Sequence, residues 1–229
     1  MFGWFGKKKE RAPTSAAQWI VEAQWAARSR WISHVVDFLG DPSNEWKPNP
    51  GMELPNRPEF LVLEFAPRAG RDHYTYLTAG LSLVPQTPSG SAPHVEFIAY
   101  SQSSEPRIAQ FLFMLSHDVA SAGVDERAFN AFDLWGAEFF GLRDFVLVPA
   151  REEAALLDFP NLSKRMEDQR YLLAATGDLN GKMSLNVLQL VPLTHDQWLA
   201  AREQGSQTLL NQSKWETQPK TSGWSAMQG

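Results

Sequence analysis

Two pairs of side chains in this sequence have the types and spacing for acid/base work. His94 and Glu96 stand two residues apart in HVEFIAYS (94–101), and His195 adjoins Asp196. A general base needs reach to the proton it takes and a tuned pKa. A hydrolase built on paired carboxylates needs a second acid at a defined separation. The chain holds 26 acidic residues, and nothing in their order marks one as that partner. The five histidines are His34, His73, His94, His117 and His195, and no two of them sit at ligand spacing with a third ligand nearby. No metal centre is therefore expected. The chain has no cysteine, which rules out thiolate ligands, cysteine nucleophiles and disulfides. It also lacks G-x-S-x-G, a Walker loop and G-x-G-x-x-G. GDLNG (177–181) reads as a turn, because no Gly-Lys-Ser/Thr follows it. No cofactor is expected.

The elements that would carry these residues favour structure over catalysis. HVEFIAYS alternates, so Val95, Phe97 and Ala99 face one way and His94, Glu96, Ile98 and Tyr100 the other. His94 follows Pro93 at the strand start, where exposure is normal. Glu96 lies mid-strand among large apolar residues. It reads as a partly buried structural carboxylate, held by an arginine or by backbone N–H groups. Asp196 falls at a helix start just after Thr194, where an acid meets the helix dipole and stands near the capping-box position. It too reads as a structural polar residue.

The surrounding pattern predicts one domain over 14–211, between a loose tail (1–13) and a polar tail (212–229). A long helix spans 14–40, capped by Thr14 or Ser15 and stopped by Gly40-Asp41-Pro42. At about 100° per residue, Ile20, Val21, Trp25, Ile32, Val35, Phe38 and Leu39 share one broad side, with Trp19 opposite. Five prolines make 41–58 a loop. Strands are expected at 59–66, 74–83 and 94–101, with turn-rich gaps that suggest antiparallel pairing. A helix starts near Pro106 and ends at Gly123. Further strands are expected at 144–150, within RYLLAATGDLNG (170–181) and at 182–193, and a last helix begins at HDQWLAAREQG. Helix, strands, helix, strands, helix is α+β, with a mixed, largely antiparallel sheet covered by helices.

Net charge is −5 without a broad basic stripe, so nucleic acid is not an expected partner. No run reaches the roughly 18 apolar residues of a membrane span, and MFGWFGKKKERAP lacks a signal-peptide core, so a cytoplasmic location is expected. The triplets at Asn161 and Asn211 read as chance glycosylation matches. Nine tryptophans are present, a residue type enriched at interface hot spots. Most are expected in the core. Trp215 and Trp224 stand in polar surroundings and are the candidate partner contacts.

Taken in order, several segments resemble the suppressor of fused domain family. YLTAGLSL (76–83) looks like the strand in which a threonine or serine and a glycine precede a short apolar run. HVEFIAYS looks like the next strand, with Glu96 as the glutamate leading into apolar residues. PRIAQFLFMLSHDVA (106–120) looks like the helix that follows. VLQLVPLTHDQWLAAREQGSQTLL (187–210) is similar to the C-terminal strand and helix. The resemblance covers about 55–211. Where the family commonly has a glutamate after the threonine, Asp196 or Glu203 would have to serve. The resemblance implies a bacterial, single-domain, non-catalytic protein-binding module of immunity type, whose partner is another protein such as a toxin domain. Two alternatives stand beside it: an enzyme using Glu96, His94 or His73, and a structural or oligomeric role through the N-terminal helix.

Overall fold

The computed structural model describes residues 16–48, 60–83, 94–122, 131–133, 144–149, 185–193 and 195–204. In chain order the elements are helix α1 (Ala16–Leu39), strands β1 (Asn44–Trp46), β2 (Leu61–Phe65) and β3 (Tyr74–Ala79), a short 3-10 turn (Leu81–Leu83), and β4 (His94–Ser101). Helix α2 (Pro106–Ala122), strands β5 (Ala131–Asp133), β6 (Asp144–Pro149) and β7 (Leu185–Leu193), and helix α3 (His195–Gln204) follow. Among the described residues seven strands form one sheet in the order β1-β2-β3-β4-β7-β6-β5. Every neighbouring pair is antiparallel except β4 and β7, which run parallel with His94 opposite Leu185 and Glu96 opposite Val187. The architecture is α+β with a mixed, largely antiparallel sheet. The segment 170–181, Trp215, Trp224 and both tails lie outside the described residues.

From Val95 to Ser101, strand β4 has no wet face. Ile98 and Tyr100 join the cluster under α1, with Trp31, Val35, Leu39, Leu63, Phe65 and Leu77. Val95, Phe97 and Ala99 join the opposite cluster, with Val62, Tyr76 and the α2 residues Ile108, Phe111, Leu112 and Leu115. Helices cover both faces, which is why β2 and β4 read as near-continuous apolar runs in spite of their antiparallel neighbours.

Three expectations need correction. The loop of 41–58 contains β1, because Pro42 and Pro48 flank the three-residue strand without interrupting its pairing. The strand of 74–83 stops at Ala79, where Gly80 (φ +111°) turns the chain into the 3-10 segment. On α1 the buried stripe is narrower than the apolar arc: Arg28, Trp31, Val35 and Leu39 are buried, while Trp25 and Phe38 are 41% and 42% exposed. At helical spacing these last two fall on opposite rims of the stripe that meets the sheet. Trp25 is instead covered by the Arg28 guanidinium, 3.7 Å from its ring centroid.

The end of α1 is held by the β2–β3 hairpin. Gly40 (φ +85°) donates its N–H to the Val36 carbonyl at 2.8 Å, and the helix has no basic residue in its last turn. The hairpin supplies the cations that a helix C-terminus favours: Arg68 donates to the Phe38 carbonyl and Arg71 to that of Leu39.

Candidate functional site

Glu96 is 0% exposed, and burial on this scale requires partners. It has four. Its Oε1 accepts the N–H of Gly80 at 3.0 Å, the N–H of Ser82 at 3.0 Å and the Ser82 hydroxyl at 2.6 Å. Its Oε2 accepts the Thr78 hydroxyl at 2.6 Å. Thr78 Oγ1 in turn accepts the N–H of Phe97 at 2.7 Å, so this hydroxyl bridges β3 and β4 where the regular ladder ends. Backbone N–H groups hold the carboxylate, together with hydroxyls; no arginine takes part in these bonds. Burial raises its pKa above the usual 4.5 despite the hydrogen bonds from Ser82, Thr78 and Gly80 that oppose the rise.

The turn that presents these donors depends on Gly80. Its φ lies where side-chain-bearing residues are strained, and a Cβ there would stand 3.3 Å from Arg28 Cδ and 3.4 Å from Phe60 Cα. Gly80→Ala should cost about 2 to 3 kcal/mol by that strain and crowding, measured as a shift in the urea midpoint. An unchanged midpoint would show that the turn relaxes freely.

The raised pKa has a defined sign. Because the folded carboxyl holds its proton more tightly than the unfolded one, folding takes up a proton between the two values. The contribution of Glu96 is therefore most favourable in acid and falls as pH rises from about 4.5 through the folded value. Gln accepts the same three donors and carries no charge. The stability of Glu96→Gln relative to the natural chain should therefore rise with pH across that window, in paired melts from pH 4 upward. A flat difference would contradict the assignment.

A second buried carboxylate, Glu64 on β2, is 1% exposed. Its Oε2 accepts Trp46 Nε1–H at 2.9 Å and Asn44 Nδ2–H at 3.1 Å, and its Oε1 accepts the Ser104 hydroxyl at 2.7 Å. Opposite it on β3, the Tyr76 hydroxyl accepts the N–H of Glu105 at 2.5 Å, just ahead of α2. Burial pushes the Tyr76 phenol up to about 12, with Glu64 and Glu105 adding to the rise. Sequence reasoning passed over Glu64, although its signal was that of Glu96: one glutamate inside an apolar strand, LVLEF.

Among the described side chains, no histidine is hydrogen-bonded to Glu96. His73 packs edge-on against Tyr100 at 5.0 Å and bonds Asp72 through Nδ1 at 3.0 Å. Tyr100 is four residues along β4 from Glu96, about 13 Å at the rise of a strand. His34 stacks on Trp31. His94 holds the first position of β4, and its side chain lies outside the described residues. Asp196 is exposed in the first turn of α3. Among the described residues no three His, Asp or Glu side chains converge as a metal site, and no helix is long and apolar enough to cross a membrane. What the Glu96 arrangement does chemically is bind: three hydrogen bonds to Oε1 and one to Oε2 tie the solvent-shielded carboxylate to Thr78 of β3 and to the turn at Gly80 and Ser82.

The comparisons with known proteins bear on the same segments. The family model described as suppressor of fused protein (SUFU) matches residues 57–221, which include both the Gly80 turn and Glu96. Among solved structures the chain is similar to a SUFU homolog from Neisseria gonorrhoeae FA 1090, at TM-score 0.57 and 14% identity, over 86% of this chain and 93% of that one. It is also similar to a chain of the Sufu-Fu complex, at TM-score 0.49 and 12% identity, over 82% of each chain. No curated protein matches the sequence. Helix α1 and strand β1 lie ahead of the matched residues.

Proposed function

The chain belongs to the suppressor of fused protein family, and from that premise we propose that it is a non-catalytic protein-binding module, a bacterial immunity-type protein that neutralises a toxin domain by direct contact in the cytoplasm. The observation that carries the non-catalytic part is the state of Glu96. The best acid/base candidate in the sequence is sealed from solvent and bonded to Thr78, Gly80 and Ser82 of its own chain. A base must reach the substrate's proton, and this one is shielded from solvent. The sheet edges also suit a folded binding domain that stays unaggregated. Both edge strands among the described residues are three residues long, and β1 is bordered by Pro42, Pro48 and Lys47.

The toxin assignment follows from what single-domain relatives of this family do, as the resemblance implies, and from the net charge of −5, which suits a basic partner. We assign the single binding domain to 14–211 and the first partner contacts to Trp215 and Trp224, which lie outside the described residues.

The test is growth rescue. A toxin domain encoded beside this gene is expressed with and without the chain, and purified samples of the two are mixed. Rescue together with a stoichiometric complex is the expected result. Growth arrest that persists at full expression of a folded chain would overturn the immunity reading and leave the binding-module reading to be tested with other partners. Trp215→Ala and Trp224→Ala should each weaken that complex by tenfold or more, as hot-spot tryptophans do, about 1.4 kcal/mol or above by titration calorimetry. Unchanged affinity for both would remove them as contacts.

A further inference from the structure

Edge strand β1 and the loop that leads into α2 are about sixty residues apart in sequence, yet they end on one carboxylate. From β1, Asn44 and Trp46 donate to Glu64 Oε2, and the preceding Ser43 donates its N–H and hydroxyl to the Glu64 carbonyl at 2.7 and 3.0 Å. From the other side, Ser104 donates to Oε1, while Glu105 donates to Tyr76, the strand partner opposite Glu64. These partners are an indole, an amide and a hydroxyl, all uncharged. Ser104 stands two residues ahead of α2, a 17-residue helix, so the carboxylate holds the segment that leads into it.

The two attached segments are weak by themselves. Strand β1 has three residues, with Asn44 and Glu45 exposed and Trp46 half-buried, and the loop residues Gln102 and Ser104 are exposed. Segments with few buried apolar contacts open locally, at free energies well below that of global unfolding. The node that holds them is strong, because a buried carboxylate cannot exchange its donors for water. Each donor lost also leaves the charge less satisfied, so the remaining bonds are held in a changed balance.

We infer that Glu64 is a two-ended clasp that couples the β1 edge to the N-terminus of α2, so that release or capture of one is felt at the other. The clasp is built partly from residues ahead of the family match, Asn44 and Trp46, and partly from residues within it, Glu64, Tyr76 and Ser104. A contact made on the edge strand is thereby reported at the start of the helix that packs over β2 and β3. The inference rests on the fold and stands independently of which protein the chain binds.

Hydrogen exchange on the full chain, followed by mass spectrometry, tests it. In Glu64→Gln the amides of 43–47 and of 102–108 should both exchange about tenfold faster, while those of α1 and β4 keep their rates. Ser104→Ala touches only the loop end, yet it should speed exchange in 43–47 by about threefold. Trp46→Phe, which removes only the indole donor, should do the same for 102–108. If Ser104→Ala and Trp46→Phe each affect only their own segment, the ends are not coupled and the inference fails. If Glu64→Gln raises exchange equally through the whole sheet, Glu64 is a general core support and the clasp is overturned. The two single-ended variants decide the matter even if Glu64→Gln does not fold.

Discussion

Glu96→Ala should cost about 3 to 5 kcal/mol and lower the melting temperature by roughly 10 to 15 °C, with Glu96→Gln losing far less. The alanine variant strands two backbone N–H groups, of Gly80 and Ser82, and leaves the Thr78 and Ser82 hydroxyls facing a cavity. Each buried donor left unmade carries a penalty of about 1 to 3 kcal/mol. Glutamine keeps an oxygen for the three Oε1 donors and offers its amide to Thr78 Oγ1. Differential scanning calorimetry of both variants separates shape from charge. Equal losses in Ala and Gln would mean that the charge itself matters, and the hydrogen-bond account would then be wrong.

The second large effect is expected at the helix that covers this same face of the sheet. Trp31→Ala should cost about 3 to 5 kcal/mol, the usual range for deleting a buried tryptophan. Trp31 is 4% exposed, packs on Leu77, Ala79 and their neighbours, and donates its indole N–H to the Thr78 carbonyl at 3.2 Å. Trp31→Phe keeps most of the packing and removes the donor, so it should lose about 1 to 2 kcal/mol. Urea titrations would show this order. If Trp31→Ala costs no more than Trp25→Ala, the helix is not anchored where the structure places it. Trp25 is exposed and should cost under about 1 kcal/mol, mainly its stacking with Arg28.

Thr78 connects these two results. Its hydroxyl ties Glu96 and Phe97, and its carbonyl receives Trp31. The strand end that carries it is thus fixed from the sheet side and from the helix side. The segments YLTAGLSL and HVEFIAYS, which carry much of the family resemblance, prove to be one hydrogen-bonded unit: Thr78, Gly80 and Ser82 of the first hold Glu96 of the second.

Much of the fold was legible because hydrophobic period and turn chemistry are local. HVEFIAYS was bounded to the residue, and α2 runs from Pro106 to Ala122, one residue short of the Gly123 that marked its end. The α+β class and the mixed sheet followed from element order. What was not legible depends on partners distant in sequence. Nothing in NEW (44–46) announces a strand; it pairs because β2 offers an edge and Glu64 collects its side chains. Alternation in HVEFIAYS cannot say whether a second face is covered, and α1 covers it from more than fifty residues away. The arc on α1 was drawn by composition, whereas the sheet selects only the narrower strip of Arg28, Trp31, Val35 and Leu39. For the site, a lone glutamate among apolar residues was the right signal at Glu96 and was not applied at Glu64. The donors of Glu96, fourteen to eighteen residues away, could not be read from spacing.

The central claim is that this chain works by holding another protein, with its buried carboxylates spent on its own fold. The most direct measurement is native mass spectrometry of the tagged chain captured from its host, followed by reassembly from the two purified proteins. The account predicts a saturable complex of fixed stoichiometry, formed equally well by Glu96→Gln. Failure of every captured protein to rebuild a complex, together with a substrate turnover that disappears in a folded Glu96→Gln variant, would contradict it.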